Sequence, residues 1–165
     1  MLVIGGGTGA EFLNTLVANC MPQLSKSVQI IHSTGKNKPG AGHSDNYHAY
    51  EFIDNMADAY AVADIVVCRA GVSTLTELSN LKKLTILVPI PQSHQELNAL
   101  FMAHLDAAIV LKQDKIKTEN FISLIRRLLF AGQAQESLKN NIAKIMPHNA
   151  NQKISEIILK LAERN

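Results

Sequence analysis

The chain has 165 residues, of which 47% are hydrophobic and 18% charged, with a formal net charge of +2. That length and apolar fraction suit one globular domain with a buried core and exclude a disordered chain, which needs low hydrophobicity and high net charge. Charges of both signs are spread along the sequence, so there is no electrostatic footprint for nucleic acid, and no apolar run approaches the ~18 residues of a membrane span.

The chain opens directly in an apolar strand over 2–5. This start is expected of a domain cut from something longer, or of a subunit whose other half is a separate chain. No basic segment leads into an apolar one, so secretion is not expected. Cys20 and Cys68 sit in apolar stretches and read as reduced, buried thiols, in keeping with a cytoplasmic protein.

In chain order, a helix over 10–20 should stop before Pro22, because proline disfavours helical geometry in the residue preceding it. A second strand covers 28–32. Residues 34–46 hold three glycines and a proline and read as a mobile loop. A third strand runs from Tyr47 to Ile53, and Asp54 caps a short helix ending near Ala63. Ile65–Cys68 is a fourth strand, followed by a helix from about Thr74 to Leu81. The fifth strand, 84–88, is ended by Pro89 and Pro91. A helix over 94–104 and a sixth strand over 107–111 follow. Phe121, Ile122, Ile125, Leu128 and Leu129 recur at three- and four-residue spacing, as do Ile154, Ile157, Ile158 and Leu161. A further helix over 135–145 lies between them. The stripes read as core or domain-interface faces.

Continuous apolar strands separated by helices predict an α/β fold: a doubly wound parallel sheet of about six strands with helices on both faces. Ligands of such sheets sit beyond the carboxyl ends of the strands. Attention therefore falls on the loops at 5–9, 33–46, 53–56, 69–74 and 89–95.

Gly5-Gly6-Gly7-Thr8-Gly9-Ala10 links a strand to a helix. It reads either as a plain tight turn or as a phosphate cradle at a helix start. Gly5, Gly7 and Ala10 also match the spacing of a dinucleotide fingerprint, but the second strand ends in His32-Ser33, without the carboxylate that would bind a ribose. Thr74-Leu75-Thr76-Glu77 fits a capping box, in which Thr74 and Glu77 merely satisfy a helix start. The same segment equally suits a diphosphate held by backbone N–H groups and the hydroxyls of Ser73 and Thr74, with Glu77 accepting from two ribose hydroxyls. Gln95 and Asn98 share a helix face after the prolines of the fifth strand. There is no zinc signature, no nucleophile elbow and no P-loop, so no metal or cofactor is expected.

Five separated blocks together resemble the MurG-type UDP-N-acetylglucosamine transferases, in their carboxy-terminal donor-binding half. They are the Gly5–Ala10 loop, Glu51-Phe52-Ile53-Asp54-Asn55-Met56, Ala63 to Gly71, Thr74-Leu75-Thr76-Glu77-Leu78, and His94-Gln95 with Asn98-Ala99. The resemblance runs from residue 2 to the end and implies a single UDP-GlcNAc-binding domain over 1–165, one Rossmann-like half of a GT-B glycosyltransferase. It implies an inverting transfer of GlcNAc from UDP-GlcNAc to a lipid-linked acceptor, forming lipid II in peptidoglycan synthesis.

Carried over residue by residue, the resemblance places Gly6, Gly7 and Thr8 at the first loop and the Ile53 backbone at the uracil edge, with Met56 beside it. Val72, Ser73 and Thr74 would bind the diphosphate and Glu77 the ribose. His94, Gln95 and Asn98 would lie at the sugar, with Gln95 on a GlcNAc hydroxyl and Arg69 in a positioning role. The family usually has Gly-Gly-Ser where this chain has Gly5-Gly6-Gly7, so a side-chain contact to phosphate is lost while the backbone cradle remains. Lys82-Lys83-Leu84 likewise departs from the family's small turn before the fifth strand. The general base would belong to an amino-terminal acceptor domain, or a separate membrane-bound subunit, at the inner face of the plasma membrane. On this reading the chain alone is inactive. The alternatives are a non-catalytic sugar-nucleotide-binding subunit of a split transferase and an NAD-binding domain.

Overall fold

The computed structural model describes residues 1–6, 10–42, 44–147 and 149–162. Among them six strands alternate with helices except between β2 and β3: β1 (Leu2–Ile4), α1 (Glu11–Leu24), β2 (Ile30–Ser33), β3 (Tyr47–Tyr50), α2 (Met56–Val62), β4 (Ile65–Cys68), α3 (Val72–Asn80), β5 (Leu84–Leu87), α4 (His94–His104) and β6 (Ile109–Val110). After a short 3₁₀ turn at Gln113–Lys115 come α5 (Thr118–Leu129), α6 (Gly132–Ile142) and α7 (Ala150–Ala162). The strands form one sheet in the order β3-β2-β1-β4-β5-β6, with every pair parallel. The doubly wound sheet of about six strands expected from the sequence is present.

Strand side chains alternate between the two faces, and two cores result. Val3, Val67, Leu84 and Ile86 pack with Leu13, Leu16 and Val17 of α1 and with Phe121, Ile125 and Leu128 of α5. On the other face Leu2, Ile4, Val66 and Leu87 pack with Ala59 of α2, Leu78 of α3, Met102 of α4 and Ile142 of α6. Helix α7 buries none of its residues, and Ile154, Ile157, Ile158 and Leu161 are all more than half exposed.

Several boundaries differ from the local reading. Helix α1 carries Pro22 inside it and continues to Leu24. The cost of a proline inside a helix is about 3 kcal/mol. Burial of Met21 and Leu24 on the core side offsets it, at roughly 1.5–3 kcal/mol for each side chain. Helix α2 is capped by Asn55 rather than Asp54, the Asn55 side chain accepting from the Asp58 N–H at 3.2 Å. Strand β3 ends at Tyr50, short of the expected Ile53, although backbone bonds continue one step further, from Thr34 N–H to the Tyr50 carbonyl and from Gly35 N–H to the Glu51 carbonyl.

The 34–46 segment, expected as a mobile loop, is anchored by buried groups. His32, 1% exposed, lies between the Tyr47 hydroxyl at 2.9 Å from Nδ1 and Asn14 Oδ1 at 3.1 Å from Nε2. The Tyr47 oxygen accepts from the Ala41 N–H, and Thr34 Oγ1 donates to the Lys38 carbonyl. A cluster that would be costly to bury unpaired is thus paired throughout.

Candidate functional site

The strand order reverses direction between β1 and β4, and such a switch point opens a crevice at the carboxyl ends of the strands. The cleft found there holds about 170 Å³ and is lined by Ile4 at the end of β1 and Gly6 beyond it, Ser33 at the end of β2, Phe52, Ile53, Met56 and Tyr60 around α2, and Thr74 and Glu77 on α3. This is small beside the roughly 300–1,000 Å³ of complete ligand pockets. The cleft by itself has room for only part of a typical ligand.

Five residues singled out in the sequence meet in this cleft: Gly6, Ile53, Met56, Thr74 and Glu77. Gly6 has φ +90, and an added Cβ there would meet nothing within 4 Å, so the backbone conformation rather than space calls for glycine. Among the described residues the Ile53 backbone groups have no hydrogen-bond partner, which leaves a free amide edge at the mouth of the cleft. Gly7 and Thr8 lie outside the described residues.

Helix α3 starts at Val72, three residues earlier than the capping-box pattern predicts, with Gly71 as its cap and no side-chain cap hydrogen bond. Thr74 is the third helical residue, and Glu77 bonds elsewhere: its Oε2 accepts from the Tyr60 hydroxyl at 2.8 Å. The capping box is therefore not formed. The first helical bond runs from Leu75 N–H to the Gly71 carbonyl, so among the described residues the amides of Val72, Ser73 and Thr74 stay open at the positive end of the helix. No acidic residue occupies the first turn of α3, whereas α1 carries Glu11 there.

Arg69, Gln95 and Asn98 join the loops after β4 and β5. Arg69 Nη1 donates to the carbonyls of Val88 and Pro89 at 2.9 and 3.2 Å. Burial lowers its guanidinium pKa, and its Nε is buried without a partner. Gln95 Oε1 accepts from the Ala70 and Ile90 N–H groups at 3.2 and 3.3 Å, and Asn98 Nδ2 donates to the Ala70 carbonyl at 2.9 Å. The carbonyl oxygen of Gln95 is thus committed to backbone, and only its Nε2 remains for a ligand. His94 is exposed at the start of α4, where Ser93 accepts from the Gln95 N–H.

Sequence reasoning missed Ser33 and Tyr60 as lining residues. Tyr60 had one legible signal, a tyrosine on the buried side of a short helix, whose hydroxyl needs a partner. Burial, with the Glu77 carboxylate as a further cause, raises its phenol pKa and keeps it a donor. Among the described residues no group of three or more His, Cys, Asp or Glu side chains is placed to hold a metal ion.

The fold and cleft define a Rossmann-like α/β domain with a cleft at the switch point of its parallel sheet. The chain belongs to the glycosyltransferase family 28 C-terminal domain family, whose model matches residues 1–156. It is 37% identical over 172 residues to the UDP-N-acetylglucosamine–N-acetylmuramyl-(pentapeptide) pyrophosphoryl-undecaprenol N-acetylglucosamine transferase of Flavobacterium psychrophilum, covering 99% of this chain and 46% of that protein. The protein of the same description from Pasteurella multocida is 35% identical over 176 residues, covering 100% of this chain and 48% of its own length. The crystal structure of Acinetobacter baumannii MurG superposes with a TM-score of 0.82 at 29% identity, covering 96% of this chain and 48% of that one. A calicheamicin glycosyltransferase shares the fold at a TM-score of 0.75 and 15% identity, over 98% of this chain and 44% of that one. The chain spans about half the length of the curated relatives it matches.

Proposed function

We propose that this chain binds UDP-GlcNAc as the donor half of an inverting N-acetylglucosaminyltransferase that acts on a lipid-linked acceptor, lipid I, to form lipid II. The observation that carries this reading is the convergence of Ile53, Met56, Thr74 and Glu77 on one cleft beside the open α3 start. The Ile53 amide edge suits the donor and acceptor pattern of uracil. The Glu77 carboxylate suits the ribose diol, and the Val72, Ser73 and Thr74 amides suit a diphosphate. Between the two candidate helix starts, α3 is the better anion seat because Glu11 would repel phosphate at α1.

In the transfer step the acceptor hydroxyl attacks the anomeric carbon as the bond to UDP breaks. Negative charge then gathers on the leaving diphosphate, and amides already aimed at it stabilise that charge without rearranging. Arg69, Gln95 and Asn98 hold the loops that carry those amides, and His94 stands beside the sugar position. The acceptor and the general base belong to a partner: an amino-terminal acceptor domain or a separate membrane-bound subunit. That partner would bring the chain to the inner face of the plasma membrane. The uncovered apolar stripe of α7 supports a partner of this kind, since an amphipathic helix is stabilised mainly by packing its apolar face.

Calorimetric titration of the 165-residue chain with UDP, UDP-GlcNAc, an ADP-sugar and NADH tests the reading. UDP and UDP-GlcNAc should compete for one site and bind more tightly than the others. Equal or tighter binding of the ADP-sugar or NADH overturns it.

A further inference from the structure

Tyr60 on α2 and Glu77 on α3 meet at the back of the cleft, the Tyr60 hydroxyl donating to Glu77 Oε2 at 2.8 Å. The two residues differ in their surroundings. Tyr60 is 3% exposed and its ring is part of the core under α2, whereas Glu77 is exposed. An exposed glutamate otherwise samples several rotamers and loses that freedom when it engages a ligand. Here a donor fixed by the core holds one carboxylate oxygen in place before any ligand arrives.

A carboxylate offers about four lone-pair positions. Tyr60 occupies one on Oε2, and among the described residues Oε1 has no partner. A vicinal diol presents two O–H donors in fixed relation, and it is received best by a carboxylate already turned toward it. Tyr60 also sits on the helix entered through Ile53 and Met56, so the same hydrogen bond sets the spacing between the base-facing edge and Glu77.

We infer that Tyr60 is a positioning residue whose hydroxyl holds Glu77 in the rotamer that receives the 2′- and 3′-hydroxyls of a ribose, so that selectivity for ribose over deoxyribose depends on Tyr60. This inference rests on the reading of the cleft as a uridine diphosphate site.

The test compares UDP with 2′-deoxy-UDP, by calorimetry, on the wild-type chain, Tyr60→Phe, Glu77→Ala and the double variant, with a thermal unfolding curve for each. Tyr60→Phe keeps the ring in the core and frees only a solvent-exposed carboxylate, so the chain stays folded. The wild type should prefer UDP. Tyr60→Phe should weaken UDP roughly three- to tenfold while changing 2′-deoxy-UDP little, and should have no further effect once Glu77 is alanine. An unchanged preference in Tyr60→Phe overturns the positioning role, and so does a loss that persists in the Glu77→Ala background. A wild-type chain that does not bind UDP, or a Glu77→Ala chain that binds it normally, instead overturns the donor-site reading and this inference with it.

Discussion

Gln95 and Asn98, three residues apart on α4, hold both polar groups of one residue in the neighbouring loop: Gln95 accepts from the Ala70 N–H and Asn98 donates to the Ala70 carbonyl. Ala70 is fully buried and immediately precedes the cap of α3. Arg69 answers from the other side by donating to the Val88 and Pro89 carbonyls. The start of α3 is therefore placed by a reciprocal set of bonds between two strand exits, and α3 itself supplies none of them.

Asn98→Ala should destabilise the chain by about 1–3 kcal/mol, the cost of leaving a buried carbonyl unpaired. Because the Ala70 peptide leads into the open amides of α3, UDP affinity should fall as well. Urea unfolding and calorimetry on the same preparation check both effects. A variant as stable as the wild type would show that water replaces the amide and that the α3 start does not depend on Asn98.

Glu77→Ala should reduce UDP affinity ~10–100-fold, since a hydrogen bond to a charged group contributes roughly 1.5–3 kcal/mol. Its effect on stability should be about 1–3 kcal/mol, the cost of leaving the buried Tyr60 hydroxyl unpaired, since Glu77 is no cap. Normal UDP binding together with a marked drop in melting temperature would assign Glu77 to the fold instead.

His32 should make the chain's stability acid-sensitive. Asn14 Nδ2 donates to the Thr34 carbonyl at 2.9 Å, which turns Asn14 Oδ1 toward His32. Nε2 then carries the proton, and Nδ1 accepts from Tyr47. Burial pushes the His32 pKa down to about 4 from an ordinary 6.5. Between those values the unfolded chain binds a proton that the folded chain does not. The stabilisation is therefore complete above pH 6.5 and is lost as the pH falls toward 4. The loss is on the order of 3 kcal/mol, from about 1.4 kcal/mol for each pH unit. Urea unfolding at several pH values, with His32→Gln beside the wild type, isolates this contribution from that of the carboxylates. Parallel stability curves for the two chains would remove His32 as the source.

The chain alone should not transfer GlcNAc at a useful rate. Bringing two reactants together in one cleft accounts for about 7–11 kcal/mol of a barrier, and a positioned base adds typically 10²–10⁴-fold. On the proposed reading both come from a facing domain. A transfer assay with radiolabelled UDP-GlcNAc and a lipid I analogue, with and without an acceptor domain supplied, measures this. Robust turnover by residues 1–165 alone, abolished in His94→Ala, would place the base in this chain.

The sequence by itself determined the alternation of strands and helices, the two-faced parallel sheet and the five blocks that carry the family likeness. These are local signals: β1 and β4 are continuous apolar runs, and β5 is broken only by the buried Thr85, because both faces of the sheet are covered, and α5 keeps Phe121, Ile122, Ile125 and Leu128 on one buried stripe. Local pattern failed where a distant contact outweighed it. Thr74-x-x-Glu77 matches a capping box, yet the bonds to Ala70 come from α4, Glu77 is taken by Tyr60, and α3 starts at Val72. Pro22 reads as a helix end until the burial of Leu24 is counted. The strand order, the cleft at the β1–β4 switch and the pairing of Tyr60 with Glu77 were decided only by the tertiary structure. They depend on hydrogen bonds and packing between residues far apart in the chain, from 17 positions for Tyr60 and Glu77 to 64 for the Leu2–Val66 pairing, which no local periodicity encodes.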